Sequence, residues 1–142
     1  LRDPQAQIEM IHRRELELFE KQDFTSIDDP VLQLRTVIRE FIGTGYHYGP
    51  EILLLYRESK SLPKRLLKVI LSRESQVVAS IEGILRRGRE KKVFQFEDAS
   101  FTANMIVYEL ALHALRNWNM KQYAKEELIV LLENHVIKAV TV

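Results

Sequence analysis

Four histidines, at positions 12, 47, 113 and 135, and no cysteine bound the chemistry open to this chain of 142 residues. Without a thiol there can be no disulfide, no thiolate metal site and no cysteine nucleophile. Glu9-Met10-Ile11-His12 has the Glu-x-x-His spacing that di-iron helical bundles use, a carboxylate and an imidazole one helical turn apart. That chemistry requires the motif twice, with two more inward glutamates, and a second copy is missing. Glu109 and His113 stand four apart on one helical face, where they can bind together or simply pair. No Gly-x-Ser-x-Gly elbow and no glycine-rich phosphate loop is present. Gly43-Thr44-Gly45 is a short glycine pair inside a helical pattern. Each glycine there costs about 1 kcal/mol relative to alanine, so the pair points to close packing, a bend or room for a ligand. The sequence therefore predicts no catalytic residue, no metal, no cofactor and no enzyme.

Two polar features interrupt apolar helical patterns and matter more. Ser72-Arg73-Glu74-Ser75-Gln76 breaks the middle of a long pattern, and Asn104 sits beside Met105 and Tyr108. A buried polar group costs a few kcal/mol unless partnered, and a pocket holding ligand or water is one way to partner it. The simpler alternative is a solvated face for Arg73, Glu74 and Gln76 and a bridging role for Asn104. Tyr46, Tyr48 and Tyr56 gather around a helix break near 47–50, as core aromatics or as walls of a pocket.

The elements that must hold these residues are helices. Asp3-Pro4 and Asp29-Pro30 read as N-cap followed by proline at the first helical position, and Asp98 can cap another helix. Val31, Leu34, Ile38, Phe41, Ile42 and Gly45 recur on one helical face, as do Leu66, Ile70, Val77, Ile81, Ile84 and Gly88. Val93-Phe94-Gln95-Phe96 alternates but is too short for a strand and lacks a partner. The pattern predicts an all-α, six-helix antiparallel bundle, with helices at about 4–22, 29–47, 50–60, 62–91, 98–119 and 124–140. Flexible segments are expected at Gln22 to Asp28 and around Met120 to Tyr123. One domain, residues 1–142, accounts for the length.

Charge narrows the partners. Twenty-one basic and twenty acidic side chains are interspersed and leave a net charge of +1. No basic surplus marks a nucleic-acid surface, and no apolar run reaches the roughly 18–20 residues of a membrane span. The polar start, Leu1-Arg2-Asp3-Pro4, is not a signal peptide, so a cytoplasmic address is expected. It also lacks an initiator methionine, and a fragment or processed chain is expected.

The last two helices are apolar all round, which requires burial on more than one side. Two such helices cannot both be central in so short a chain, and a second protomer would cover them. An isologous four-helix interface is expected, built on Val107, Leu110, Ala111, Ala114, Leu128, Leu131, Leu132 and His135. The small side chains Ala103, Ala111 and Ala114 would permit close approach. The alternative is an ordinary core helix over 98–119.

The segment Ile52-Leu53-Leu54-Leu55-Tyr56-Arg57-Glu58-Ser59-Lys60-Ser61-Leu62-Pro63 resembles the C-terminal domain of TetR/AcrR-family regulators. So do the close of the long helix, Ile84-Leu85-Arg86-Arg87-Gly88-Arg89-Glu90-Lys91-Lys92-Val93-Phe94, the Glu97-Asp98 that follows, and Leu115-Arg116-Asn117-Trp118. The likeness covers about residues 28–140, and it is the order and spacing of loose motifs that carry it. Two positions depart: Lys92 stands where the family has a closing glycine, so that terminus is expected to fray or end differently. Ala124 stands where a serine or threonine often caps the final helix. The resemblance implies the effector-sensing and dimerisation domain of a bacterial transcriptional regulator, a repressor released from DNA by a small hydrophobic or amphipathic ligand. It implies a pocket within the first five helices, involving Tyr46, Tyr56, Arg73, Gln76, Asn104 and Tyr108. The junction looks most like the fatty-acid- or acyl-CoA-responsive branch, with Arg73 meeting an anionic head group through charge-assisted hydrogen bonds. DNA would be contacted only through the family's helix-turn-helix headpiece, which these residues lack. The rival reading is a helical dimeric interaction module without a small-molecule ligand.

Overall fold

The computed structural model describes residues 26–47 and 49–142, together with 3, 6, 9, 10 and 13; the side chains of residues 51, 54, 59 and 73 fall outside that description. The helix expected over about 4–22, including His12, lies outside the described residues, as do positions 22–25 and Tyr48. Among the described residues the chain is helical throughout, with no strand longer than a single bridge.

Asp29 opens the first described helix, α1 (Pro30–His47), its carboxylate accepting the Val31 N–H at 3.0 Å. That bond satisfies an amide left free in the first turn. The apolar stripe read from the sequence faces inward: Leu34, Ile38, Phe41, Ile42 and Gly45 are buried and Val31 is half-buried, while Val37, outside that stripe, is buried beside them. α2 (Gly49–Glu58) tightens into a 3₁₀ turn over Ser59–Ser61, where the Ser61 hydroxyl donates to the Glu58 carbonyl at 2.8 Å. Pro63 then leads into α3 (Lys64–Glu90), 27 residues and about 40 Å long.

The end of α3 does not fray. Lys92 takes the left-handed conformation at φ 62°. The Val93 N–H reaches the Gly88 carbonyl at 2.9 Å, and the Lys92 N–H reaches that of Arg89 at 3.0 Å. This crossed pair of bonds is the Schellman closure, formed here on a lysine. Gly88 lies under the Phe94 ring so closely that any Cβ would collide with it. The alternating segment 93–96 has a partner after all: Phe94 bridges Thr141, the Gln95 N–H donates to the Val140 carbonyl at 2.7 Å, and Val142 to Val93 at 3.2 Å.

α4 (Ala99–Leu110) is capped by Asp98, which accepts the Phe101 N–H at 2.8 Å. The helix expected over 98–119 is broken at Ala111 and again at Arg116, giving the short α5 (Leu112–Leu115) and α6 (Asn117–Met120). Neither break carries glycine or proline. The change of direction lets α5 cross α2, where Ala111 and Ala114 bury against Ile52 in a small cluster apart from the main core. Around 120–123 the chain is a closed turn, with Met120 and Tyr123 packed on the core. α7 (Lys125–Val140) starts at Ala124 without a side-chain cap; Glu126 and Glu127 favour its positive end instead.

α3 packs along α4 and α1, and α1 packs along α7. Glu133 of α7 is 5% exposed, and two cations of α1 hold it. Arg35 meets one carboxylate oxygen at 2.9 Å and Arg39 the other at 2.6 Å; Arg39 also reaches Glu126 at 3.0 Å. Gln33, buried on the same helix, accepts from Arg87 of α3.

Candidate functional site

α1, α2, α3 and α4 line a partly open cavity of about 40 Å³ between them. Phe41 and Gly45 come from α1, Ile52, Leu55 and Tyr56 from α2, Glu74 and Val77 from α3, and Val107 and Leu110 from α4, with Ala111 beyond its end. Glu74 is thus the acid among aliphatic walls. Burial pushes its carboxyl up from 4.5 to about 7, because loss of water penalises the charged form.

The six residues expected to form a pocket divide. Tyr56 lines the cavity, and Tyr108 meets its ring edge-on with centroids 6.2 Å apart. Both rings are partly exposed, and Tyr108 stands behind Tyr56 rather than among the residues that line the cavity. Gln76 and Asn104 are exposed; the Asn104 amide donates back to the Ser100 carbonyl at 2.9 Å. Tyr46 packs elsewhere, stacked on His113 at 3.8 Å. The side chain of Arg73 is outside the description. Glu74 belongs to the interrupting run but is not among the residues expected at the pocket. Its spacing could have found it: four after Ile70 and three before Val77, it lies on the buried stripe of α3, whereas Gln76 does not.

A second concavity, a groove of about 530 Å³, runs along the outside between α4 and α7. Phe101, Met105 and Ile106 line one wall, and Val136, Ala139 and Val140 the other. Phe101 is 66% exposed and Met105 43%. Among the residues expected at a dimer interface, Leu110, Ala111, Ala114, Leu128 and Leu132 are buried within this chain and Val107 is half-buried, while Leu131 and His135 are exposed. The outward apolar surface of α4 is carried instead by Phe101, Met105 and Tyr108, three and four residues apart on one face.

Glu109 lines this groove, together with Glu97 and Asp98. Burial raises the Glu109 carboxyl, partly offset by the His135 imidazole 3.9 Å away. Burial also lowers His113, whose Nδ1 has no hydrogen-bond partner among the described residues, and raises the stacked Tyr46. Glu109 therefore pairs with His135 and not with His113. No cluster of three or more His, Asp or Glu among the described residues could hold a metal ion.

Residues 28–120 match the model of the tetracyclin repressor-like C-terminal domain family. Two solved structures share the architecture. The TetR family transcriptional regulator PfmR from Thermus thermophilus superposes with a TM-score of 0.80 at 17% identity, over 95% of this chain and 73% of that one. AibR, solved in complex with isovaleryl coenzyme A and operator DNA, gives 0.66 at 18% identity, over 94% of this chain and 72% of that one. At these identities the likeness is one of fold. No curated protein matches the sequence.

Proposed function

This chain belongs to the tetracyclin repressor-like C-terminal domain family, and on that premise we propose that it senses a small hydrophobic or amphipathic effector and holds two subunits of a bacterial transcriptional repressor together. DNA is then contacted by a headpiece of the parent protein outside these residues, in the cytoplasm. No helix among the described residues is long and apolar enough to cross a membrane. AibR, a protein of the same fold, was solved with an acyl-coenzyme A and with DNA, which supports the two ligand classes of this reading.

The observation that carries the proposal is that α4 works on two sides. Its inner edge, Val107 and Leu110, walls the cavity; its outer edge, Phe101 and Met105, walls the groove. A second copy seated on the groove and an effector filling the cavity would therefore bias one helix. Coupling of about 1–3 kcal/mol through it would change operator affinity some 5- to 150-fold.

Sedimentation of this chain at micromolar concentration tests the assembly. A dimer is expected, with Met105→Glu weakening it at least tenfold by placing a charge in an apolar contact. A wild-type chain that stays monomeric overturns the proposal. The small volume of the cavity, close to one water's room, favours a second reading, a dimeric interaction module without effector. Thermal-shift titration with fatty acids, acyl-CoAs and organic cations separates the two: a saturable rise in Tm supports the sensor, and none across the series supports the module.

A further inference from the structure

The walls of the cavity between α1, α2, α3 and α4 carry one acid and no base among the described residues. Resting on the reading of this cavity as the effector site, we propose that the effector is a cation: an amine or quaternary ammonium with an apolar body, its charged head between the Glu74 carboxylate and the Tyr56 and Tyr108 rings. Two observations and one physical argument carry this. Glu74 is set among Ile52, Leu55 and Val77, where a carboxylate has lost much of its water and a cationic head would replace it. An anionic head in the same space would find no counter-charge on the described walls and, once Glu74 ionises, would meet a like charge with little solvent between them. Tyr56 lines the cavity and stands edge to face with the Tyr108 ring at 6.2 Å, and aromatic faces attract cations through the negative charge over the ring. The acyl head group implied by the family likeness has no such complement among the described walls.

The cavity as it stands, about 40 Å³, takes no more than a methyl-sized group. A ligand with a longer body enters by parting α2 from α4, which is the movement that would reach the groove.

A matched series tests the charge directly: dodecyltrimethylammonium, dodecanoate and dodecanol, each below its aggregation threshold, titrated into this chain by calorimetry and thermal shift. The cation is expected to bind at least tenfold tighter than the other two. Glu74→Gln is expected to cost the cation tenfold or more and to change dodecanol less than threefold. Tyr56→Leu should weaken the cation where Tyr56→Phe does not, an independent arm should the Glu74 variant fail to fold. Dodecanoate binding as tightly as the cation, or Glu74→Gln leaving the cation's affinity intact, overturns the proposal while the cavity keeps its role as effector site. Binding by none of the three overturns the effector site itself.

Discussion

A carboxyl group among aliphatic side chains resists ionisation, and for Glu74 that resistance has a sign in the pH dependence of stability. The folded chain keeps a proton up to about 7 that the unfolded chain releases above its ordinary 4.5. Stability from this residue is therefore fully present below about 4.5, falls as the pH rises to about 7, and changes no further above it. His113 works the other way. Its imidazole is pushed down by burial, so folding gains as pH rises towards the ordinary histidine range. The diagnostic is accordingly a comparison: between pH 5 and pH 8, wild type should lose roughly 1–3 kcal/mol relative to Glu74→Gln in urea denaturation. Parallel curves would mean that the carboxyl is solvated in the folded chain. At this scale the sequence was partly legible. The run 72–76 is visible as polar in an apolar context, but the expectation of Gln76 at the pocket weighs residue type over angular position, and Gln76 is exposed. Glu133 gave no signal at all, because its partners lie on a helix far away in sequence.

Helix boundaries were legible where a side chain does the terminating work. Asp29 and Asp98 cap as their positions suggest, since a short carboxylate just before an apolar repeat has free amides within reach. The breaks at Ala111 and Arg116 were not, because nothing local demands them; they follow from the packing of α5 on α2, a tertiary fact. Lys92 lies between these cases. It stands in a glycine's place, and of the two outcomes expected there, fraying or a different ending, fraying is absent because the Schellman bonds hold a lysine at φ 62°. An L-residue pays about 1–2 kcal/mol for that conformation. Lys92→Gly should therefore raise stability by roughly 1 kcal/mol, measured by urea denaturation, with helix content unchanged. A loss of stability would show that the lysine side chain contributes more than the strain it causes.

On the scale of the whole molecule, the sequence conveyed that α4 and the chain's last helix carry apolar residues on every side. It could not say which side faces which neighbour, since that depends on how α3 and α1 approach them. Leu110, Leu128 and Leu132 went to the core, and Phe101 and Met105 to the surface. The junction of α1 with α7 was equally hidden, and it has a kinetic consequence. Arg35 and Glu133 are 98 residues apart in the chain. Bringing such distant partners together costs loop entropy before any contact rewards it. The pair should thus form after the rate-limiting step, once α3 and α4 have docked. Glu133→Gln is then expected to speed unfolding by tenfold or more in stopped-flow experiments while leaving the refolding rate within twofold. Slower refolding at unchanged unfolding rate would place the pair in the folding nucleus instead. If the first outcome holds, the two arginines act as a latch on the finished structure: they set how long a folded molecule lasts and leave untouched how quickly one is made.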